Sequence, residues 1–285
     1  MWSMRLFLRA AGAVISVVLV AGACGGAAEV EEDLGPGVAL ATLPAEPTST
    51  VVSSTTAAVV TTTTTVDPAS TTTTVRPPAE HETFVAHVNP EVTELVAYTE
   101  PGGTDIVPFE FRITNPTYWG SRLSLMVLER TPDGEWLRVQ IPVRPNGTEG
   151  WIPATDVELE SHFIRARVDL TARSVTVWDR DETIAETGAV IGAERSPTPV
   201  GNFFVNDLVE KWEGSAYGPF ILSLSAFSEA LDTFAGGIPV IAIHGTNKPH
   251  LIGGAHSNGC IRIPNDVITF LAEHVPMGTP VEIVA

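Results

Sequence analysis

The sequence predicts a mainly β protein with one clear helix, arranged as two β units behind a long tether. The chain has 285 residues, of which 44% are hydrophobic, and this is enough apolar material for one or two domain cores. Residues 83–285 contain many short apolar runs separated by turns rich in Gly, Pro and Asn. Residues 24–82, in contrast, contain threonine runs and several prolines but no Phe, Trp or Tyr.

Charge and cysteine content exclude several classes of function. The chain has 34 acidic and 16 basic residues, which gives a formal net charge of -18. Such a surface repels phosphate backbones, so no nucleic-acid partner is expected. The two cysteines, Cys24 and Cys260, are too few for a disulfide-rich scaffold or a cysteine-based zinc site. We expect a monomer that needs no cofactor and no metal ion.

Residues 1–23 have the pattern of an export signal. Arg5 and Arg9 precede an uncharged apolar stretch that is shorter than the about 20 residues of a membrane span. Small residues then lead directly into Cys24, and this arrangement resembles a bacterial lipoprotein processing site. The resemblance implies a lipid anchor on Cys24, with the protein on the outer face of the cytoplasmic membrane and reaching into the cell wall. The alternative is an ordinary signal peptide in which Cys24 has no role.

Residues 24–82 are predicted to be a disordered tether. Their Thr, Ser, Pro, Ala and Val composition has neither a helical nor a strand period. Threonine runs favour strands in principle, but nothing in this segment marks turns or a second face. A coil of this length spans enough distance to carry a folded domain from a membrane into a wall layer.

Residues 83–158 are predicted to form a small β unit. Alternating runs at 84–88, 123–128 and 136–140 are separated by turn sequences. The ending, from Trp136 to Gly147-Thr148-Glu149-Gly150-Trp151, resembles the last hairpin of bacterial SH3-like domains. That resemblance implies a small barrel that binds peptide stems or acts as a spacer. Asn146-Gly147-Thr148 matches a glycosylation sequon, but in a hairpin it is interpreted as turn chemistry.

Residues 162–285 are predicted to form a second β unit with one helix. A helix is expected over 266–275, because apolar residues recur there at offsets of three and four, with Asn265 or Asp266 as its N-cap. The strand candidates, which alternate or are continuously apolar, are 163–170, 174–178, 189–191, 202–205, 219–224, 239–244 and 280–284. The first two of these, joined by a tight connection, predict a hairpin.

The residues that can do chemistry are concentrated between 241 and 262. His244 ends a strand candidate, and Cys260 begins another apolar stretch. If Cys24 is lipidated, Cys260 remains a thiol, and nucleophilic catalysis is the commonest reason to keep a thiol in an oxidising compartment. A neighbouring imidazole can take the thiol proton, and amides beside Gly259 can hold an oxyanion. The alternative is an inert cysteine that packs as a small hydrophobe.

The stretch His244-Gly245-Thr246…Ser257-Asn258-Gly259-Cys260-Ile261-Arg262 resembles the signature of the L,D-transpeptidases with a YkuD-like catalytic domain. Residues 196–203 and 278–281 are similar to two further segments of that family, so the resemblance covers residues 162–285. It implies a YkuD-like β-sandwich that acts in cell wall biogenesis. The roles it implies are Cys260 as nucleophile, His244 as general base and acid, the Gly245 carbonyl as the group that orients His244, Gly259 as oxyanion hole, and Arg262 as support or as a site for a substrate carboxylate.

The implied reaction is 3→3 cross-linking of peptidoglycan, with a tetrapeptide stem as donor and a diaminopimelate amine as acceptor. One alternative is a hydrolase or amino-acid exchanger on the same scaffold. Another is a non-catalytic wall-binding lipoprotein, which the presence of both His244 and Cys260 argues against. The resemblance also implies that the loop from Leu208 to Gly237, with Trp212 and Tyr217, covers the active site as a flap. The alternative is that these aromatic side chains pack on the sheet.

Overall fold

The structure is a computed structural model and describes residues 78–212 and 214–285. The predicted signal, Cys24 and the tether up to residue 77 lie outside the described residues. The last residues predicted for the tether form a turn, in which the Glu82 amide donates to the Ala79 carbonyl at 3.1 Å. In the part of the chain that the structure describes, no helix is long and apolar enough to cross a membrane.

The first lobe, residues 78–162, is built on one five-stranded antiparallel sheet. Its strands are β1 (Thr83–Val88), β2 (Ser124–Arg130), β3 (Trp136–Gln140), β4 (Glu149–Pro153) and β5 (Val157–His162). The predicted hairpin is confirmed as the β3–β4 pair. The strand order β4-β3-β2-β1-β5 leaves β4 and β5 at opposite ends, so the pairing does not confirm a closed SH3-like barrel. The sheet ends at His162 rather than at Glu158, because β5 pairs with β1 along its whole length.

The second lobe, residues 163–285, is built on an eight-stranded sheet, a two-stranded sheet and one α-helix. Its elements are β6 (Ile164–Asp169), β7 (Ser174–Asp179), β8 (Glu182–Gly188), β9 (Ile191–Gly192), β10 (Gly201–Glu210), β11 (Phe220–Phe227), β12 (Val240–His244), β13 (Ala255–Ser257), β14 (Ile261–Arg262), α1 (Asn265–His274) and β15 (Pro280–Val284). The predicted hairpin is the antiparallel β6–β7 pair.

The eight strands form one curled ladder in the order β14-β12-β11-β10-β15-β6-β7-β8. This continuity comes from β10, whose first residues pair with β15. From Val205 onward β10 pairs with β11, with a register shift between Val205 and Asp207. Val177 from one half and Ile243 from the other lie in one buried core. The predicted sandwich is therefore a single sheet that folds over on itself.

The helix forms within one residue of its predicted limits, but its cap differs from the prediction. Residue Pro264 occupies the N-cap position, and no side chain caps the helix. Pro264 has a ψ of 146°, the extended conformation that is usual for an N-cap residue. Ile268 and Leu271 are buried on the inner face, as the apolar spacing predicts. The side chain of Asn265 points instead to the strand end that carries His244.

The two lobes share buried contacts. Phe204 on β10 is fully buried in the core of the first lobe. Gln140 on β3 donates from Nε2 to the Asn202 carbonyl at 2.7 Å and accepts from the Ser225 hydroxyl at 3.3 Å. The buried carboxylate of Asp207 accepts hydrogen bonds from two hydroxyl groups of the first lobe. The short connection between the lobes is therefore reinforced by packing and by hydrogen bonds.

Candidate active site

The strands β12 and β14 bring His244 and Arg262 to one face of the sheet, and Cys260 directly precedes β14. These strands are parallel, with Ile243 opposite Ile261 and His244 opposite Arg262. Both isoleucines are buried in the core. Because neighbouring side chains along a strand point to opposite faces, His244 and Arg262 lie on the face away from that core. Cys260, directly before β14, is only partly buried.

His244 is held in one orientation by a backbone carbonyl. Its side chain is 2% exposed, and Nδ1 lies 2.6 Å from the carbonyl oxygen of Gly245. A carbonyl can only accept, so Nδ1 carries the proton and Nε2 is the basic nitrogen of the neutral ring. The ring of Tyr217 packs on the imidazole with 4.9 Å between ring centroids. The contact between Nδ1 and the Gly245 carbonyl is the one that the resemblance implied for Gly245.

The environment of His244 keeps the imidazole neutral. Burial lowers the pKa of His244 to about 4, against the opposing effect of the Gly245 carbonyl. The positive charge of Arg262 lowers the pKa further, and the Tyr217 carbonyl raises it. A neutral imidazole can accept a proton, so at neutral pH this side chain is in the protonation state that a general base requires.

The carbonyl that orients His244 is itself fixed by close backbone packing. The Thr246 amide donates to Asn265 Oδ1 at 2.7 Å, which ties the residues after β12 to the start of α1. Gly218 has a φ of +66°, and a Cβ there would lie 2.5 Å from both Asn265 Oδ1 and the Gly245 Cα. Only a glycine permits this approach. Sequence reasoning assigned Asn265 to a helix cap and did not find this contact.

A tight turn presents Cys260. The Ser257 hydroxyl donates to the Cys260 carbonyl at 2.6 Å and accepts from the Gly259 amide at 3.1 Å. Gly259 has a φ of +112°, a left-handed conformation that suits glycine. The Gly259 N–H is used inside the turn in this structure, and an oxyanion-holding role for Gly259 stays a prediction. The Cys260 thiol itself lies 3.9 Å from the Val240 carbonyl oxygen, at the other end of β12.

Thr198 supports this turn from the side. Its buried hydroxyl donates to the Gly259 carbonyl at 2.8 Å and accepts from the Gly192 amide at 2.9 Å. The surrounding segment 196–203 carried a family resemblance in the sequence, but no role was predicted for Thr198. In the sequence, Thr198 stands out as a hydroxyl residue between two prolines. Its hydrogen-bond partners could not be identified because they are distant in sequence.

Arg262 is fixed by backbone pairing on both sides. Besides its pairing with β12, its amide and carbonyl exchange hydrogen bonds with Val190 at 2.9 and 2.8 Å. The guanidinium is close enough to lower the pKa of His244. Arg262 thus supports the site sheet and acts electrostatically on the imidazole, and contact with a substrate carboxylate stays a prediction.

These site residues lie within a segment that matches a family model. Residues 164–283 match the YkuD family model, the L,D-transpeptidase catalytic domain. Two curated relatives named YkuD are similar: that of Bacillus licheniformis is 34% identical over 119 residues, 42% of this chain and 64% of its own length. That of Bacillus subtilis is 32% identical over 116 residues, 41% of this chain and 63% of its own length. The match thus spans just under two thirds of these relatives.

Solved L,D-transpeptidase structures are also similar to the chain. One from Mycobacterium smegmatis is 14% identical, with 70% of this chain and 81% of that chain covered and a TM-score of 0.34. The Enterococcus faecium C442S mutant is 20% identical, with 69% and 76% covered and a TM-score of 0.35. With TM-scores this low, these similarities support no further conclusion.

The segment predicted as a flap over the YkuD-matched region is not a single loop. The strand β10 continues to Glu210, and β11 runs from Phe220 to Phe227 through the middle of the segment. The hairpin between these strands places Tyr217 against His244. Trp212 is 67% exposed, so it does not pack on the sheet. Movement of this hairpin as a cover stays a prediction.

A cavity of about 810 Å³ opens between the lobes beside the YkuD-matched strands. Its lining is largely apolar and includes Trp119 from the first lobe and Leu224 from the second. It also reaches Val240, whose carbonyl lies next to the Cys260 thiol. The cavity therefore ends close to the proposed nucleophile.

Proposed function

We propose that this protein is an L,D-transpeptidase that forms 3→3 cross-links between peptidoglycan stem peptides through a Cys260 thioester. The observation that carries the proposal is the neutral, buried His244 on β12, which pairs with the strand that Cys260 directly precedes, inside the YkuD-matched region. A base poised beside a thiol is the minimum that cysteine acyl transfer requires. The acyl-enzyme itself belongs to the proposal.

In the first step, the Cys260 sulfur attacks the carbonyl of the third residue of a donor tetrapeptide stem, a diaminopimelate. The C–S bond of a thioester forms, and the C–N bond to the terminal D-alanine breaks. The thiol proton passes to His244 Nε2 and then to the departing amine. The Cys260 amide is proposed to hold the oxyanion, because the Gly259 amide is already used in the turn.

In the second step, the side-chain amine of an acceptor diaminopimelate attacks the thioester. The new C–N bond is the 3→3 cross-link and the C–S bond breaks, while His244 Nε2 takes a proton from the attacking amine and passes it to the departing sulfur. The atoms balance with no oxidant, reductant or cofactor. The partners of the protein are therefore proposed to be two stem peptides.

We also propose that the protein is exported and anchored through Cys24, with residues 24–82 as its tether into the wall. If Cys24 carries a lipid, the protein partitions into detergent, and Cys24→Ser releases it. Mass spectrometry of the mature N-terminus tests this directly. A mature chain that begins elsewhere and carries no acyl mass contradicts the anchor.

The reaction is tested by incubating the full-length protein with a purified tetrapeptide-stem muropeptide and weighing the products. We expect a cross-linked dimer with loss of one D-alanine for each bond formed, and no dimer from Cys260→Ala. Cys24→Ser is the matched control, because it removes the other cysteine and should leave turnover in solution unchanged. A tripeptide product without dimer identifies a hydrolase. Unchanged muropeptide contradicts the proposal.

A further inference from the structure

The side chain of Asn146, in the first lobe, hydrogen-bonds to the backbone of Phe227, in the second lobe, as a neighbouring strand would. Its Nδ2 donates to the Phe227 carbonyl at 2.9 Å, and its Oδ1 accepts from the Phe227 amide at 2.9 Å. Nδ2 is also 3.2 Å from Glu229 Oε1. One side-chain amide thus satisfies both backbone groups of Phe227, as a neighbouring strand would. In the sequence, Asn146 had been interpreted as turn chemistry only.

The location of Phe227 explains why an outside partner is needed. The regular β11–β12 ladder ends at Ser223, and after a register shift Phe227 pairs with Val240. The β10–β11 ladder ends at Leu224, so Phe227 extends beyond the last residue that β10 pairs. The ring of Phe111, also from the first lobe, lies 6.1 Å from the Phe227 ring. The first lobe therefore holds this strand end by its backbone and by its side chain.

The strand end that Asn146 holds is the one that faces the nucleophile. Phe227 pairs with Val240, and the Ser228 amide donates to the Pro239 carbonyl at 2.8 Å. The Val240 carbonyl lies 3.9 Å from the Cys260 sulfur. A continuous series of contacts therefore runs from Asn146 through Phe227 and Val240 to the thiol.

We propose that Asn146 is a positioning residue for Cys260: by fixing the end of β11, it fixes the Val240 carbonyl against the thiol. In addition to burying Phe204 in its core, the first lobe then determines the position of the Cys260 thiol. The cross-linking part of this inference rests on the proposed function, whereas the effect on the thiol does not. Removing the Asn146 amide should free the thiol from Val240 and should misplace it for acyl transfer.

The test uses the full-length chain with Cys24→Ser, so that Cys260 is the one remaining cysteine. Asn146→Ala should lower kcat for cross-linking about tenfold, because small displacements at a reacting atom are costly. KM for the donor stem should stay within about twofold, since Asn146 contacts no substrate. Alkylation of Cys260 by iodoacetamide should rise about threefold, because a small reagent needs no precise placement and the thiol loses its contact to Val240.

Gln140→Ala is the matched control, because it removes another amide that links the lobes, at a place where the partners are Asn202 and Ser225. It should lower the free energy of unfolding without changing kcat or the alkylation rate by more than about twofold. If Asn146→Ala does not fold, Asn146→Asp serves instead: it keeps the acceptor for the Phe227 amide, loses the donor and places a negative charge beside Glu229.

The inference is overturned if the folded Asn146 variant keeps the kcat and the alkylation rate of the parent. It is also overturned if Gln140→Ala changes kcat and the alkylation rate by the same factors as the Asn146 variant does. A parent protein that forms no cross-link, together with faster alkylation of the Asn146 variant, contradicts the proposed function but supports the positioning role. A parent that cross-links, together with an unchanged variant, supports the proposed function and contradicts the positioning role.

Discussion

The side-chain oxygen of Asn265 accepts a hydrogen bond from the Thr246 amide at 2.7 Å, and this bond joins the start of the helix to the strand that carries His244. It lies directly beside Gly245, whose carbonyl orients the imidazole. A residue expected to cap a helix therefore stabilises the base of the proposed reaction. A substitution near this bond should therefore lower turnover as well as the free energy of unfolding.

Gly218→Ala should disrupt this packing, because the new Cβ would meet Asn265 Oδ1 and the Gly245 Cα at 2.5 Å. We expect a loss of about 3 kcal/mol in the free energy of unfolding, together with a fall in turnover. Gly214→Ala is the matched control: it also has a positive φ, +81°, but nothing lies within 4 Å of its Cβ position. That variant should lose about 1 kcal/mol. Equal losses in urea unfolding would show that the packing around Gly218 is unimportant.

Thr198→Val should loosen the turn that presents Cys260. The variant keeps the shape of the side chain but loses the hydroxyl that bonds the Gly259 carbonyl and the Gly192 amide. Cross-linking turnover should fall about tenfold, and the free energy of unfolding should fall by about 2 kcal/mol. Thr198→Ser retains the hydroxyl and should recover most of both. If Val and Ser variants behave alike, the hydroxyl does not support the turn.

The pH profile of kcat/KM should have an acid limb near pH 4. His244 has a pKa of about 4, so it is neutral and basic above that pH and protonated below it. Arg262→Gln removes a charge that lowers this pKa, so the acid limb should move to higher pH. An acid limb near the ordinary histidine value in the parent enzyme, or a shift in the opposite direction in the variant, contradicts this assignment.

His162 should make folding stability depend on pH. Burial lowers its pKa to about 4, with the His87 charge acting in the same direction. The unfolded chain binds a proton near pH 6.5 while the folded chain does not, so stability is full above that pH and falls as the pH is lowered towards 4. His162→Gln should reduce this loss by about 2 kcal/mol, as measured by urea unfolding at pH 7 and pH 4.5. Identical pH dependence in both proteins rules out this contribution of His162.

Most strands of the second lobe were predictable, and the residues of the candidate site could be proposed, because their signals are local. Alternation and continuous apolar runs predicted β6, β7 and β10 to β12, while β8 was missed because its sequence is polar and largely exposed. The short strands β13 and β14 lack the length for any periodicity. Cys260 and His244 were identified from the motif, and the contact between His244 and the Gly245 carbonyl agrees with it.

What the sequence could not predict depends on contacts between distant residues. Phe204 lies on a strand of the second lobe but is buried in the core of the first, and no local pattern shows which core an apolar residue joins. The use of the Gly259 amide by Ser257 depends on the conformation of one turn. The register shift at Phe227 and its amide partner Asn146 depend on how the lobes meet.

The most direct test of the proposed acyl transfer is the intact mass of the full-length Cys24→Ser protein after brief exposure to a tetrapeptide stem, without acceptor. We expect an adduct on Cys260 equal to the donor minus one D-alanine, with D-alanine released in equal amount. Cys260→Ala should give no adduct, and His244→Ala should form it about 10²-fold or more slowly. A natively folded parent protein that forms no adduct and releases no D-alanine, or an adduct that persists in Cys260→Ala, contradicts the account.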